Sequence, residues 1–267
     1  MADTGPRRAA VLGSPIAHSL SPVLHRAAYA ALGLAGWRYD AVECDEAAFP
    51  ALLAGLDPSF VGLSCTMPLK RVALAAASTV SPAAAAVGAA NTLIRTDDEW
   101  TADNTDVDGI LGALAEVGVL AAPGSVLLLG AGGTAQAVVV ALARLGVQRI
   151  AVGVRNPART TDLTATADRV GVDLDVAPFP ARLEAALVVS TLPGDAAADL
   201  APRLGDVRTL LDVVYAPWPT TLTRRALDIG MTVAGGRAVL VHQAARQVEL
   251  MTGRPAPLAA MLAALPA

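Results

Sequence analysis

Lysine is almost absent from this chain. Of its 20 Lys and Arg residues, only Lys70 is a lysine. A guanidinium keeps its charge at any working pH and carries protons poorly, whereas an amine loses its proton where its surroundings depress its pKa. One amine among so many guanidiniums marks a position that calls for an amine. Cysteine is scarce as well. Cys44 and Cys65 are the two present, and with no metal-like spacing they read as small core residues of a reducing compartment. The three histidines, His18, His25 and His242, lack ligand spacing too, so no metal is expected. No block of one charge sign exceeds a few residues and the net charge is −4, which argues against a nucleic-acid or anionic-membrane surface. Long unbroken apolar runs are missing. The stretch 72–94 is interrupted by Ser78, Ser81, Pro82 and Asn91, and the stretch 126–143 by Gly130, Gly132, Gly133 and Gln136. Both suit soluble strand–turn–helix pieces better than a span of about 20 apolar residues. The opening residues 1–8 lead into a short strand rather than a secretion signal. A cytoplasmic protein is expected, with no internal repeat and no long linker.

Size and apolar content say what can be built. The 267 residues, 54% of them hydrophobic, suit one large domain or two modest ones with ample core. Ala9–Leu12, Trp37–Val42 and Phe60–Cys65 read as strands, with hairpin strands at Thr92–Ile94 and around Trp100. Between them fall helices from Ser21, as N-cap with Pro22 at the first helical position, to Leu32; from Glu46 to Leu53; from Pro68, which puts Lys70 in the first turn; and from Ser81-Pro82. Alternating strand and helix predicts a mainly parallel sheet. The pattern restarts with a helix over Asp106–Val117. Strands follow at Val126–Leu129, Ile150–Val154, Leu187–Ser190 and Leu210–Val214. Helices are read after the first of these to about Leu145, and over Thr220–Ile229, Val239–Leu250 and Pro257–Leu265. The division falls near Asp106, with a return near Gly235-Gly236. Residues 1–105 and 237–267 form one expected domain and 106–236 the other.

Gly130-Ala131-Gly132-Gly133-Thr134-Ala135 lies between the apolar strand and its helix. Gly-x-Gly-x-x-Ala in that context is a dinucleotide fingerprint. The first glycine allows a tight turn, the second lets backbone approach a pyrophosphate, and Ala135 permits close helix–strand packing beside the phosphate-facing helix N-terminus. An NAD site would place Asp or Glu at the end of the next strand to hold the ribose hydroxyls. Here that strand runs into Val154-Arg155-Asn156-Pro157-Ala158-Arg159, with no acid. Two arginines grip a 2′-phosphate and stack on adenine, so the reading is NADP rather than NAD.

Six motifs in order resemble the shikimate dehydrogenase family over nearly the whole chain. They are the run from Gly13 to His25 (Gly-Ser-Pro-Ile-Ala-His-Ser-Leu-Ser-Pro-Val-Leu-His), Thr66-Met67-Pro68-Leu69-Lys70, Gly88-Ala89-Ala90-Asn91-Thr92 with Asn104-Thr105-Asp106, the glycine turn, Asp212-Val213-Val214-Tyr215-x-Pro217, and Gln243-Ala244. The resemblance implies an α/β substrate domain plus a Rossmann-like NADP-binding domain, with C-terminal helices returning to the first and the active site in the cleft between the two. It implies NADPH-dependent reduction of 3-dehydroshikimate to shikimate, within aromatic amino-acid biosynthesis. It implies that Ser19 and Ser21 bind the substrate carboxylate. Thr66, Lys70, Asn91, Asp106 and Gln243 then hold ring hydroxyls or the reacting oxygen, Tyr215 lies by substrate and nicotinamide, and Lys70 with Asp106 forms the catalytic pair. Cofactor contacts follow at Gly130, Ala131, Gly132, Gly133, Thr134, Ala135, Arg155, Asn156, Arg159, Thr191, Val213 and Gly236. The partners expected are the small-molecule substrate and NADP(H), with no nucleic acid and no membrane, on a monomer or homodimer.

The residue types agree on their own terms. A small polyol acid needs short hydroxyl, amide and carboxylate partners, and hydride transfer to a carbonyl leaves an alkoxide that an ammonium beside a carboxylate can protonate or hold. Departures from the family pattern are Arg26 for Asn, Ser64-Cys65 for Asn-Val, Gln136 for Arg, Val154 and Asn156 around Arg155, Ser190 to Pro193 near the nicotinamide, and Gly236-Arg237-Ala238-Val239. Alternatives on the same fold are a quinate/shikimate dehydrogenase using NAD and a non-catalytic nucleotide-sensing protein. A folate dehydrogenase shares the architecture but not the His18-Ser19-x-Ser21-Pro22 signature.

Overall fold

Short apolar strands alternating with helices build two six-stranded sheets, each in its own compact unit. The computed structural model describes residues 6–266. The reading of the first five residues as part of a lead-in to a strand therefore lies outside the described residues. The first unit comprises residues up to Thr105 together with Gln243 onward, and the second spans Asp106–His242.

In the first unit the chain runs β1 (Arg7–Gly13), α1 (Ser21–Ala31), β2 (Trp37–Glu43), α2 (Phe49–Ala54), β3 (Phe60–Cys65), α3 (Lys70–Ala76), β4 (Thr79–Val80), α4 (Pro82–Val87), β5 (Thr92–Thr96) and β6 (Glu99–Asp103). The sheet order is β2-β1-β3-β5-β6-β4. The sheet is mainly parallel and includes the expected hairpin: β1, β2 and β3 run parallel and β4 runs parallel to β6, while β5 pairs antiparallel with both β3 and β6. The physical reason for the hairpin is the short turn at Asp97 and Asp98, both with positive φ, which joins β5 to β6; a parallel pair would need a crossover instead. On one side of the sheet Leu12, Leu63, Leu69, Leu93 and Phe49 are fully buried together, each such side chain contributing about 1.5–3 kcal/mol.

The second unit runs α5 (Asp106–Glu116), β7 (Val126–Leu129), α6 (Gly133–Arg144), β8 (Arg149–Val154), α7 (Thr161–Val170), β9 (Asp173–Pro178), β10 (Leu183–Ser190), β11 (Leu204–Asp212), α8 (Thr221–Asp228) and β12 (Thr232–Gly235), and ends inside α9 (Gly236–Thr252). The last helix, α10 (Leu258–Ala263), belongs to the first unit. All the strand pairs of the order β12-β11-β10-β7-β8-β9 are parallel. Every residue of β7 is buried, as the uninterrupted Val-Leu-Leu-Leu run demands of a strand covered on both faces. The order reverses at β7, from which the chain first adds β8 and β9 on one side and then β10, β11 and β12 on the other. That is the switch point where a doubly wound sheet opens a crevice for ligands.

Local chemistry explains most element ends. Ser81 caps α4 by accepting the Ala84 N–H at 3.1 Å, Pro82 takes the first helical position, and Gly88 closes the helix at φ +77°. Thr220 caps α8 in the same way, from Thr223. Ser21 departs from expectation. It is the first helical residue and not the N-cap, because Leu20 already has helical backbone angles and Ser19 Oγ receives the Ser21 N–H at 3.3 Å. The helix read from Pro68 begins two residues later, at Lys70, after a turn closed by Leu69 N–H on the Thr66 carbonyl. The helix read from Glu46 begins at Phe49, since Asp45 first forms a turn with its side chain on the Ala48 N–H. Four elements were not read in sequence: the two-residue β4, the four-residue β12, α7 and β9. Helix α7 buries little beyond Leu163, Thr166 and Ala167, and β9 is an edge strand without a fully buried residue; neither carries an apolar run.

Candidate active site

The expected substrate-binding residues of the first unit gather at one edge of its sheet. Strands β1 and β3 end there at Gly13 and Cys65, and antiparallel β5 begins there with Thr92, opposite Ser64. Backbone bonds tie the loops together: Thr66 N–H to the Leu12 carbonyl at 2.9 Å, Cys65 N–H to the Asn91 carbonyl at 2.7 Å, and Ala90 N–H to the Lys70 carbonyl at 2.8 Å. Thr66, Lys70 and Asn91 are thus fixed by neighbouring main chain. Gly13 is required here, since a Cβ on it would run into the Thr66 side chain and the Met67 carbonyl. Thr66 and Lys70 are half-buried and Asn91 is buried.

Asn91 sits in a buried polar cluster that no single residue announces. Its Oδ1 accepts from the Thr105 N–H at 2.8 Å and from the Thr92 hydroxyl at 2.8 Å; its Nδ2 donates to Thr105 Oγ1 at 3.0 Å and reaches Gln243 Oε1 at 3.4 Å. A backbone N–H can only donate, so the Thr105 contact fixes which end of the Asn91 amide is oxygen. Gln243 is buried, on α9. Ser19 is half-buried, and Ser21 is buried with its carbonyl against His25 Nδ1 at 2.9 Å. His25 stacks on the fully buried Tyr39 with ring centroids 3.9 Å apart, and burial lowers its pKa from 6.5 to about 4, so the ring is neutral. The Cys65 thiol is pushed up to about 12 by burial, which leaves it inert. It packs in the core, as does Cys44.

The second unit holds the other expected set. Asp106 is the first residue of α5, half-buried, with Asp108 also in the first turn, where the helix dipole favours a carboxylate. Lys70 and Asp106 thus belong to different units. Tyr215 is solvent-exposed in the loop after β11. That loop is organised by buried Asp212, which accepts from the Thr220 hydroxyl at 2.6 Å, the Thr223 hydroxyl at 3.0 Å and the Val214 N–H at 3.2 Å. Burial raises the Asp212 pKa against those bonds.

The glycine turn leaves the end of β7 at the switch point. Gly130 has φ +105°, in a region a side chain rarely enters, and its N–H donates to the Gly153 carbonyl at 3.0 Å. A Cβ there would meet Thr191 Oγ1, which donates to the Leu129 carbonyl at 2.9 Å. Gly132 caps α6 in extended conformation, and a Cβ on Gly132 or Gly133 would meet nothing. Backbone N–H groups and open space therefore lie together at the N-terminus of a twelve-residue helix, which is the build of a phosphate cradle. Ala131 and Thr134 are half-buried beside it and Ala135 is buried against the sheet. At the end of β8, Arg155, Asn156 and Arg159 are all exposed, with Asn156 Oδ1 capping the following turn on the Ala158 N–H at 3.0 Å. Gly236 packs so closely on Val213 that a Cβ would overlap the Val213 carbonyl, which brings those two expected cofactor residues together.

Sequence reasoning missed the residues that hold the expected substrate-binding ones: Thr92, Thr105, Ser64 and Gln247, all buried and all bonded into the Asn91 cluster. One signal was available. Gln243 and Gln247 are four residues apart, hence on one helix face.

The family model described as shikimate dehydrogenase substrate binding domain matches residues 11–93, and that of the shikimate 5′-dehydrogenase C-terminal domain matches residues 236–265. A protein of Methylobacterium radiotolerans named shikimate dehydrogenase (NADP(+)) is 40% identical, the match covering 92% of this chain and 91% of that one. The crystal structure of shikimate dehydrogenase from Mycobacterium tuberculosis superposes with a TM-score of 0.87 at 47% identity, covering 97% of this chain and 98% of that one. A shikimate 5-dehydrogenase from Thermus thermophilus, solved in complex with NADP(H) and shikimate, superposes with a TM-score of 0.85 at 34% identity over 97% and 98% of the two chains. With such identity along almost its full length, the chain belongs to the shikimate dehydrogenase family.

Proposed function

We propose that this protein catalyses the reversible, NADPH-dependent reduction of 3-dehydroshikimate to shikimate, with the first unit binding the substrate and the second the cofactor. The observation that carries the reading is family membership over more than nine-tenths of the chain, in a protein whose first unit gathers hydroxyl, amide and amine groups at one sheet edge. That donor set fits a small polyol acid. The hydroxyls of Ser19 and Ser21 donate to its carboxylate. Thr66, Asn91 and Gln243 hold ring hydroxyls, and Tyr215 closes on substrate and nicotinamide.

The second unit fits NADP(H) on its own features. The open space at Gly132 and Gly133 accepts the pyrophosphate against the α6 N-terminus, and the exposed Arg155 and Arg159 take the 2′-phosphate as charge-assisted, forked donors. Asn156, Thr191, Val213 and Gly236 complete the contacts. When bound, NADPH supplies the hydride. The oxygen left behind gains charge as the carbonyl is reduced, and the Lys70 ammonium donates to it, with Asp106 as the carboxylate of the pair. General acid help of this kind is worth ~10²–10⁴-fold. Location in the cytoplasm, and a monomer or homodimer as the working species, belong to the same proposal; among the described residues no helix is long and apolar enough to cross a membrane.

The test is a steady-state assay with shikimate and quinate, each against NADP and NAD. Shikimate with NADP is the expected best pair. Quinate with NAD as the best pair would make the protein a quinate/shikimate dehydrogenase, and no turnover in all four would leave a nucleotide-binding protein without this activity.

A further inference from the structure

Behind Asn91 and Gln243 runs a chain of buried hydrogen bonds that reaches Tyr39, whose hydroxyl also bonds the Ser21 side chain. Tyr39 Oη donates to Ser64 Oγ at 2.5 Å, and Ser64 Oγ donates to Gln247 Oε1 at 2.8 Å. Gln247 Nε2 donates to Thr92 Oγ1 at 2.9 Å and toward the Asn91 carbonyl at 3.4 Å, and Thr92 Oγ1 donates to Asn91 Oδ1 at 2.8 Å. Tyr39, Ser64, Gln247, Thr92 and Asn91 are all buried.

The direction of this chain follows from its backbone members. The Asn91 carbonyl can only accept, so the end of Gln247 that faces it is the NH2 group, and the other end is oxygen. The Gln247 oxygen then takes the one proton of Ser64, which leaves Ser64 to accept from Tyr39. At the far end the Thr105 N–H fixes Asn91 Oδ1 as acceptor, so the Thr92 proton also points there. Every hydroxyl uses its proton once and in one sense. The phenol at the start stays protonated, because burial holds the Tyr39 pKa well above its ordinary value.

Gln247 is the one member that joins helix α9 to two strands, β3 through Ser64 and β5 through Thr92. It lies one helical turn after Gln243 and on the same face. We propose that Gln247 is a positioning residue for substrate binding: it sets the height and rotation of α9 over the sheet edge, and through this places Gln243 beside Asn91 and, by way of Thr92, fixes the orientation of the Asn91 amide. The proposal rests on the reading of Asn91 and Gln243 as substrate contacts. No proton moves along the chain; its work is orientation.

Two variants separate bonding from bulk. Gln247→Met keeps the length of the side chain and removes its bonds. Gln247→Glu keeps the shape and an acceptor for Ser64, but its carboxylate cannot donate to Thr92 or to the Asn91 carbonyl. Both are expected to raise KM for shikimate about tenfold or more, the effect of stranding buried polar groups, while kcat and KM for NADP stay within about threefold, the pattern of lost ground-state binding. Ser64→Ala, a smaller change, is expected to move the same parameter in the same direction and serves if the Gln247 variants do not fold. In the double variant of Tyr39→Phe and Gln247→Met the effects on KM should fall short of additive, because both cut one chain. Asn91→Ala is measured alongside. If Asn91→Ala raises KM for shikimate but the folded Gln247 variants, or Ser64→Ala in their place, leave it unchanged, the positioning role is overturned and the substrate site stands. If Asn91→Ala also leaves it unchanged, the site reading fails and the proposal with it. A fall in Tm with unaltered KM would reduce Gln247 to a packing residue.

Discussion

The two sheet edges that carry the expected ligand contacts are built on opposite plans. In the first unit the edge is filled with side chains. Asn91, Thr92, Thr105, Gln243 and Gln247 are buried and bonded to one another, and Lys70 and Thr66 are held by main-chain bonds beside them. In the second unit the edge is made by leaving side chains out. Gly130 turns the chain at φ +105°, and Gly132 and Gly133 face space that nothing fills. In the proposed function the first plan recognises a small polyol by the identity of each donor and acceptor, and the second a phosphate by backbone and helix dipole. The difference teaches where substitutions should hurt: in the first unit by changing chemistry, in the second by adding atoms.

The hardest test of the first plan is Lys70→Ala. If the amine has a chemical task, turnover falls by ~10²–10⁴-fold, while NADPH affinity, measured by fluorescence titration, stays where it was because the proposed cofactor contacts lie in the other unit. A variant that turns over at the native rate would leave the lone lysine without a mechanistic role.

A pH experiment probes the same buried layer. His25 is neutral in the fold with a pKa of about 4, against 6.5 when exposed. Between those values the unfolded chain binds a proton that the folded chain refuses, so stability is full above pH 6.5 and is lost as pH falls toward 4. At about 1.4 kcal/mol per pH unit the loss from this group is about 3 kcal/mol. Urea unfolding from about pH 7 to pH 4 should show it, and His25→Asn should flatten that part of the profile. An unchanged slope in the variant would assign the loss to other groups.

How much of this was legible beforehand follows the same contrast. The glycine turn could be read because its signal is local: three glycines, an apolar run before and a helix after. Caps such as Ser81-Pro82 with Gly88 were legible for the same reason. The buried cluster was not. Thr92, Thr105 and Gln247 owe their roles to pairing across β3, β5 and α9; the spacing of Gln243 and Gln247 encodes only that the two share a helix face. The hairpin of β5 and β6 was legible as well, while the antiparallel pairing of β5 with β3 was not. Ser21 lost its cap role because Leu20 is already helical, a distinction of one residue that propensity does not resolve.

In the second unit the cofactor choice is expected to rest on the exposed arginines after β8. Arg155→Asp places a carboxylate where a 2′-phosphate would lie and where a ribose hydroxyl would welcome it. The ratio of kcat/KM for NADP over NAD should fall by at least about tenfold, one charge-assisted contact being worth roughly 1.5–3 kcal/mol. The shikimate KM should not move. An unaltered ratio would place the phosphate elsewhere, with Arg159 the next candidate.

The smallest expected effect draws the line between the two plans most sharply. Gly132 has ordinary negative φ, and a Cβ on it meets no protein atom. Gly132→Ala should therefore fold normally, with a Tm at or slightly above the native value, since alanine costs less conformational entropy than glycine where the backbone is compatible. The added methyl enters the space reserved for the pyrophosphate, so KM for NADP should rise by about tenfold, equivalent to about 1.4 kcal/mol of lost contact. Gly130→Ala is the matched control: at φ +105° and against Thr191 it should lower Tm as well as affinity. If Gly132→Ala bound NADP like the native protein, the open space after β7 would not be the phosphate site, and the second unit would have to recognise its ligand by side chains, as the first one does.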